Sequence, residues 1–236
     1  MENFSPASYW SISITPAIIA KTNITGDKNK YRIKSSPQLG AEITLNHYYA
    51  FEKNYSLLLG LGAGVMAHNF EFNIPKEMFD PPTGSNISDN KAPSRDWGNL
   101  YLRLPIEVQK SWNDNKNRVW NFSGGFNLLF YSQNSEDIVS SIIRSNGATE
   151  DFLVITKDQN KWAPHLNLQV AGGRNWANGS KNVFRTDLIF NYSLSKFANG
   201  VYTFNVGSQP HLSGKYSLSG SYVGICLVYV FSRGRK

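Results

Sequence analysis

The chain has 236 residues, 14% aromatic and only 17% charged, a composition of many strands joined by polar loops and not of a helical bundle. A helical membrane protein is excluded, because a spanning helix needs roughly 18 apolar residues and the longest such run, Leu57 to Ala67, is broken by Gly60, Gly62 and Gly64. The net charge of +7 comes without any recognised nucleic-acid module, so nucleic acid is not an expected partner.

A chain of this length fits one domain, expected over 1–236. Period-two alternation bounded by turn residues predicts eight strands. The first covers 9–20. The second, 38–51, and the third, 55–74, flank the short turn Glu52 to Asn54. In the third, Leu57, Leu59, Leu61, Ala63 and Val65 share one face and the three glycines the other, which leaves room for large neighbours across a narrow lumen. The fourth, 97–112, alternates Leu100, Leu102, Leu104, Ile106 and Val108 with Tyr101, Arg103, Pro105, Glu107 and Gln109. A short turn, Asn113 to Arg118, leads to the fifth, 119–132. The sixth, 162–176, and seventh, 182–195, flank Ala177 to Lys181. In the seventh, Phe184, Leu188, Phe190 and Tyr192 oppose Arg185, Asp187, Asn191 and Ser193. The last, 215–231, sets Val223, Ile225, Leu227, Tyr229 and Phe231 against Tyr222, Gly224, Cys226 and Val228.

Short connections follow the second, fourth and sixth strands and long ones the others. That rhythm predicts an all-β, eight-stranded antiparallel up-and-down transmembrane β-barrel with short periplasmic turns, long extracellular loops and both termini periplasmic, in the bacterial outer membrane. Of the long loops, 75–96, 133–161 and 196–214, the second contains Phe152 to Thr156, expected to extend the sixth strand or its hairpin above the membrane. Met1 to Trp10 has neither the basic start nor the apolar stretch of a signal peptide, so the chain is expected to be a mature or recombinant form.

A soluble lipocalin-like ligand-binding barrel has the same alternation with its apolar face turned inward. The tryptophans separate the two: Trp10, Trp97, Trp112, Trp120, Trp162 and Trp176 all fall near strand ends, where an aromatic belt meets headgroups. Tyr49, Phe51, Tyr55, Tyr229 and Phe231 add to the short-turn end, and Tyr131 and Tyr192 to the long-loop end.

The segment Tyr101-Leu102-Arg103-Leu104-Pro105-Ile106-Glu107-Val108, followed by a turn and the Gly-containing Phe122-Ser123-Gly124-Gly125-Phe126, resembles the PorT-like outer-membrane β-barrel family of Bacteroidota. The strand Gly224 to Phe231 is similar to the terminal strand by which such barrels are recognised for assembly, although Ser232 to Lys236 continue beyond it. The resemblance covers roughly a quarter of the chain, in short and permissive motifs. It implies an integral barrel, some members being accessory parts of secretion or other envelope machines, with no catalytic residues to carry over.

Five charged residues fall on inward positions: Glu42, Arg103, Glu107, Arg185 and Asp187, expected to form a paired ionic core because an eight-stranded barrel has space only for side chains. Lys53, Lys110, Lys116, Arg118, Arg174, Lys181, Arg233, Arg235 and Lys236 form a basic rim at the short-turn end, suited to anionic headgroups or an acidic periplasmic partner. Lys21, Lys28, Lys30, Arg32 and Lys34 lie in the first long loop, within reach of lipopolysaccharide phosphates. Of His47, His68, His165 and His211, two, His68 and His165, project inward near the external end, the only positions that suggest a lipid-modifying enzyme. The lone Cys226 is expected to be a packing residue, and neither a metal nor a cofactor is expected. The reading is a noncatalytic barrel acting as a structural or accessory subunit of an envelope complex, with outer-membrane lipid, lipopolysaccharide and another envelope protein as partners. The alternatives are the lipid-modifying enzyme and the soluble barrel.

Overall fold

The computed structural model describes residues 8–26, 30–79, 83, 87–88, 99–116, 118–132, 136–143, 147–158, 162–178, 182–207 and 212–231. In chain order the strands are β1 (Tyr9–Ile19), β2 (Asn23–Gly26), β3 (Gln38–Glu52), β4 (Tyr55–Met66), β5 (Asn73–Ile74), β6 (Ile87–Ser88), β7 (Asn99–Asn113), β8 (Val119–Tyr131), β9 (Glu136–Ile143), β10 (Thr149–Asp158), β11 (Pro164–Asn178), β12 (Asn182–Ser193), β13 (Lys196–Phe204), β14 (Leu212–Ser219) and β15 (Tyr222–Phe231), with one 3-10 turn at Lys76–Met78. Eight of them close an antiparallel barrel in the order β1-β15-β12-β11-β8-β7-β4-β3, and β3 returns to β1.

Local chemistry sets the tight ends. Asn54, at φ 70°, supplies the left-handed residue of the β3–β4 turn, a conformation asparagine tolerates. Asp114 Oδ1 accepts from the backbone N–H groups of Lys116 at 2.8 Å and Arg118 at 2.9 Å, an Asx-type closure of the β7–β8 turn. Two prolines interrupt the wall. The β1–β15 ladder skips from Ile14–Leu227 to Ala17–Gly224 at Pro16. The β4–β7 ladder skips from Leu59–Ile106 to Gly62–Arg103 at Pro105, because proline has no N–H to give.

Above the barrel stands a second, five-stranded sheet in the order β2-β14-β13-β10-β9. Each of its strands is the chain continuation of a barrel strand: β1 runs into β2, β14 into β15, β12 into β13, β10 into β11 and β8 into β9. The barrel neighbours β1-β15-β12-β11-β8 therefore keep their order beyond the barrel, and five-eighths of the wall is prolonged while β3, β4 and β7 stop. One face of this outer sheet buries Leu153, Ile155, Tyr202, Phe204, Leu212 and Tyr216 against Tyr31, Phe70, Phe72 and Phe79 from the loops. The rings lie at packing distance, Tyr31–Phe204 at 5.0 Å and Phe70–Tyr202 at 5.1 Å, the separations of favourable aromatic pairs.

Two predicted segments are corrected. The third, 55–74, leaves the barrel at Met66, and Asn73–Ile74 pairs instead with Ile87–Ser88. The last, 215–231, joins two elements, since the barrel strand begins at Tyr222 and Leu212–Ser219 belongs to the outer sheet. Alternation runs through both because the outer sheet also has one buried face. The expected loops 133–161 and 196–214 contain β9, β10, β13 and the start of β14, and Phe152 to Thr156 lies within β10, paired with β9 and β13.

Candidate functional site

The lumen is built from the inward residues of all eight barrel strands, and the five predicted charges all stand inside it in two clusters. In the first, Arg103 on β7 contacts Glu42 on β3 through Nη1, Glu107 at 3.1 Å and Gln169 on β11 at 3.0 Å through Nη2, and Asn127 on β8 at 2.8 Å through Nε. Glu42 also accepts from Thr44 Oγ1 and Tyr101 OH, each at 2.9 Å. Glu107 accepts from Ser123 Oγ and Gln169 Nε2, each at 2.8 Å. One guanidinium thus ties four strands, the kind of satisfied arrangement that buried charge requires.

In the second cluster Arg185 on β12 donates to Gln109 Oε1 and to Tyr48 OH, each at 2.7 Å. Its Nε lies 2.8 Å from Asp187 Oδ2 but does not point its N–H along that line, for it makes no hydrogen bond. The space left between the clusters is about 20 Å³, enough for about one water molecule. Gln169, Asn127 and Tyr48 carry no signal of their own in the sequence, where inward amides and tyrosines look like filler, and Tyr101 and Gln109 are legible there only as inward positions of their strand. The charges they satisfy were the available signal.

The outer wall is the reverse of the lumen. Leu102, Ile106 and Leu227 are 41%, 46% and 40% exposed, whereas Arg103 and Glu107 are 4% and 3%. A water-soluble barrel cannot afford that polarity, and a bilayer requires it.

The tryptophans line the margins of this apolar wall. Trp10 on β1 meets the His47 ring edge-on at 4.5 Å. Trp112 and Trp120 are direct partners across the β7–β8 pair, and Trp120 Nε1 donates to Asp114 at 3.2 Å. Trp176 Nε1 donates to Thr186 Oγ1 at 2.9 Å, with the Arg174 guanidinium 4.1 Å above its ring. Trp162 stands exposed at the opposite end, at φ 61°, and Trp97 lies outside the described residues. Tyr192 faces outward, but Tyr131, expected in the girdle, does not. It shares the inward parity of Asn127 and Leu129 and stacks on Phe197 at 4.1 Å in the barrel mouth.

At the short-turn rim Lys53 sits in its turn, Lys110 lies over the Tyr55 ring at 5.4 Å, Lys116 is exposed and Arg118 Nε is 3.8 Å from Asp114. Lys181, Arg233, Arg235 and Lys236 lie outside the described residues. At the other end Lys21 and Arg32 are exposed, Lys30 lies 5.5 Å over Tyr31, Lys34 pairs with Glu71 at 3.2 Å, and Lys28 is outside the described residues. Burial pushes the Glu71 carboxyl up, but the Ser36 hydroxyl, Lys34 and Asn69 bring it below its ordinary value.

Among the described residues the histidines are not brought together into one group. His68, just past β4, is buried with neither ring nitrogen bonded; burial and nearby Lys157 lower its pKa to about 4. Phe197 separates it from His165, the ring centres lying 5.3 and 6.5 Å away, and His165 Nδ1 is 3.4 Å from Ser195 Oγ. His47 faces the lipid side between Trp10 and Tyr49, and His211 lies outside the described residues. Cys226 is a buried free thiol on the inner face of β15.

Fold and lumen together define a small, side-chain-filled, membrane-spanning β-barrel carrying an outer sheet. No protein-family model matches the chain, and no curated protein matches it. Among solved structures it is similar to the outer membrane protein OprG of Pseudomonas aeruginosa (TM-score 0.45, 10% identity, 97% of this chain and 98% of that one). It is also similar to Neisserial surface protein A (0.38, 9%, 94% and 99%) and to the outer membrane protein AlkL (0.38, 15%, 100% and 99%).

Proposed function

We propose that this chain is a noncatalytic integral protein of the bacterial outer membrane that acts as a structural or accessory subunit of an envelope complex. In this reading the short turns and both termini face the periplasm and the outer sheet stands on the external side. The observation that carries it is the filled lumen: with two ionic clusters cross-linking the strands and about 20 Å³ left between them, the barrel is an anchor, and the surfaces left for work are its outer wall, its rims and the outer sheet. Lys21 and Arg32 sit where lipopolysaccharide phosphates can be met, and the rim lysines where periplasmic headgroups or an acidic partner can. Affiliation with the PorT-like family belongs to the same proposal and rests on Tyr101 to Val108, Phe122 to Phe126 and Gly224 to Phe231.

The test places a photo-crosslinking amino acid at Thr156 or Val201, on the solvent face of the outer sheet, and at Leu102 on the lipid wall, in cells that make the protein. A reproducible protein adduct from one of these faces is the expected result. Adducts with lipid alone, combined with steady ion conductance of the purified protein in planar bilayers, would overturn the proposal in favour of a channel.

A further inference from the structure

Arg174 is a charged residue on the apolar side of its strand. On β11 the inward residues include Asn167, Gln169 and Ala171, so Arg174 points outward with Val170 and Gly172. Its guanidinium is held 4.1 Å over the Trp176 ring, a cation–π contact that leaves its N–H edge unused. Among the described residues it makes no ion pair and no hydrogen bond, and its buried Nε has no acceptor. No acid stands among the described outward residues of β7, β8, β11 and β12. Asp114, in the adjoining β7–β8 turn, is occupied by the N–H groups of Lys116, Arg118 and Trp120. A cation at the margin of a lipid-facing wall, without an acid of its own, calls for an anion from outside the chain.

Next to it the wall is dented. Gly172 follows Arg174 on the outward row of β11, one step toward the middle of the wall. Gly124 on β8, the direct partner of Val170, lies one step further along the diagonal. Glycine weakens a strand interior, and the inward Gly125 and Gly173 answer to crowding, since a Cβ on either would run into backbone. At Gly124 and Gly172 nothing comes nearer than 3.8 and 3.7 Å, so packing within the chain asks for neither. Between the exposed side chains of Phe122, Phe126, Val170 and Leu188, the two missing side chains leave a trough that starts at Arg174.

We propose that Arg174 and this trough bind one anionic glycerophospholipid, its phosphate on the guanidinium and an acyl chain over Gly172 and Gly124. The proposal rests on the membrane placement argued above, and narrows the general attraction of the rim for headgroups to a single site. A guanidinium fixed by stacking can meet two phosphate oxygens at once, and the chain gains close contacts where a larger residue would hold it off. A zwitterionic headgroup would bring an ammonium that finds no free acid on this face. A second copy of the chain fits less well, because a twofold contact here sets Arg174 and the exposed Lys110 against the same cations.

Native mass spectrometry of the full chain, released from vesicles of mixed phosphatidylglycerol and phosphatidylcholine, tests this. The wild type is expected to retain one phosphatidylglycerol in preference to phosphatidylcholine by about tenfold. Arg174→Gln should erase that preference and Gly172→Leu should expel the lipid, both variants keeping the gel shift of a folded barrel. Lys53→Gln, in the β3–β4 turn, should change nothing. Equal retention of the two lipids by the wild type, unchanged retention in either site variant, equal loss in Lys53→Gln, or a lipid-free dimer would overturn the proposal. If Gly172→Leu does not fold, Gly124→Leu fills the same trough and takes its place. A chain that does not enter vesicles sinks the membrane placement and this site with it, whereas one that enters and shows no preference sinks the site alone.

Discussion

Arg103 on β7 and Glu42 on β3 form an ion pair inside the barrel although β4 lies between their strands. They meet because β4 presents glycine at both levels, Gly62 opposite Arg103 and Gly64 opposite Glu42. A Cβ on Gly62 would sit 2.7 Å from Thr44 Oγ1, and one on Gly64 would collide with the Tyr101 ring. The glycine row and the ionic core are therefore one device. Replacing Arg103 with Met strands two buried carboxylates, and stability should fall by about 3–5 kcal/mol. A urea titration in lipid vesicles measures it, and Glu42→Gln on top of Arg103→Met should restore part of the loss.

Adjacent glycines on β8 should behave oppositely. A Cβ on Gly125 runs into the backbone of Ile106 and Glu107, whereas the nearest atom to one on Gly124 is Gln169 O at 3.8 Å. Gly125→Ala should cost about 1–3 kcal/mol or prevent closure, and Gly124→Ala should stay within about 0.5 kcal/mol. The heat-modified gel shift of folded against unfolded barrel reads both.

Docking of the outer sheet should weaken in acid. The pKa of His68 falls from 6.5 to about 4 on folding because burial, and then Lys157, disfavour the imidazolium. The packed form therefore binds fewer protons than the open one. Stability is fully present above pH 6.5 and is lost as pH falls toward and through 4, by at most about 3 kcal/mol. Proteolysis of β13, followed across that window, should accelerate in the wild type and lose its pH dependence in His68→Leu.

Trp112 and Trp120, facing each other across β7 and β8, should anchor the short-turn margin. Their double replacement by Ala should cost about 1 kcal/mol beyond the sum of lost burial, and each tryptophan should be quenched by lipids brominated near the headgroup more than by those brominated at the chain end. Equal quenching at both depths would remove them from the interface.

Sequence alternation was a good guide wherever one face meets lipid, as in β7, whose every residue from Leu100 to Gln109 points as expected. It failed where a second core repeats the same period. Leu212, Tyr216 and Leu218 alternate against loop aromatics and not against acyl chains, so a single long strand was expected where Gly220 and Ser221 divide two. Tyr131 was misplaced for a related reason, because an aromatic near a strand end suits a girdle and a plugged mouth equally. The ionic core was legible as inward charge, but its wiring through Gln169, Asn127 and Gln109 depends on register between distant strands, which no local pattern encodes.

Because β1 and β15, the first and last barrel strands, continue upward as β2 and β14, the seam that completes the cylinder also completes the outer sheet. Thr25, on β2, and Lys215, on β14, are partners in register only when the chain's two ends have found each other. A binder raised against that junction would recognise finished molecules and ignore those stalled during insertion, reporting from beyond the barrel an event that takes place within the bilayer.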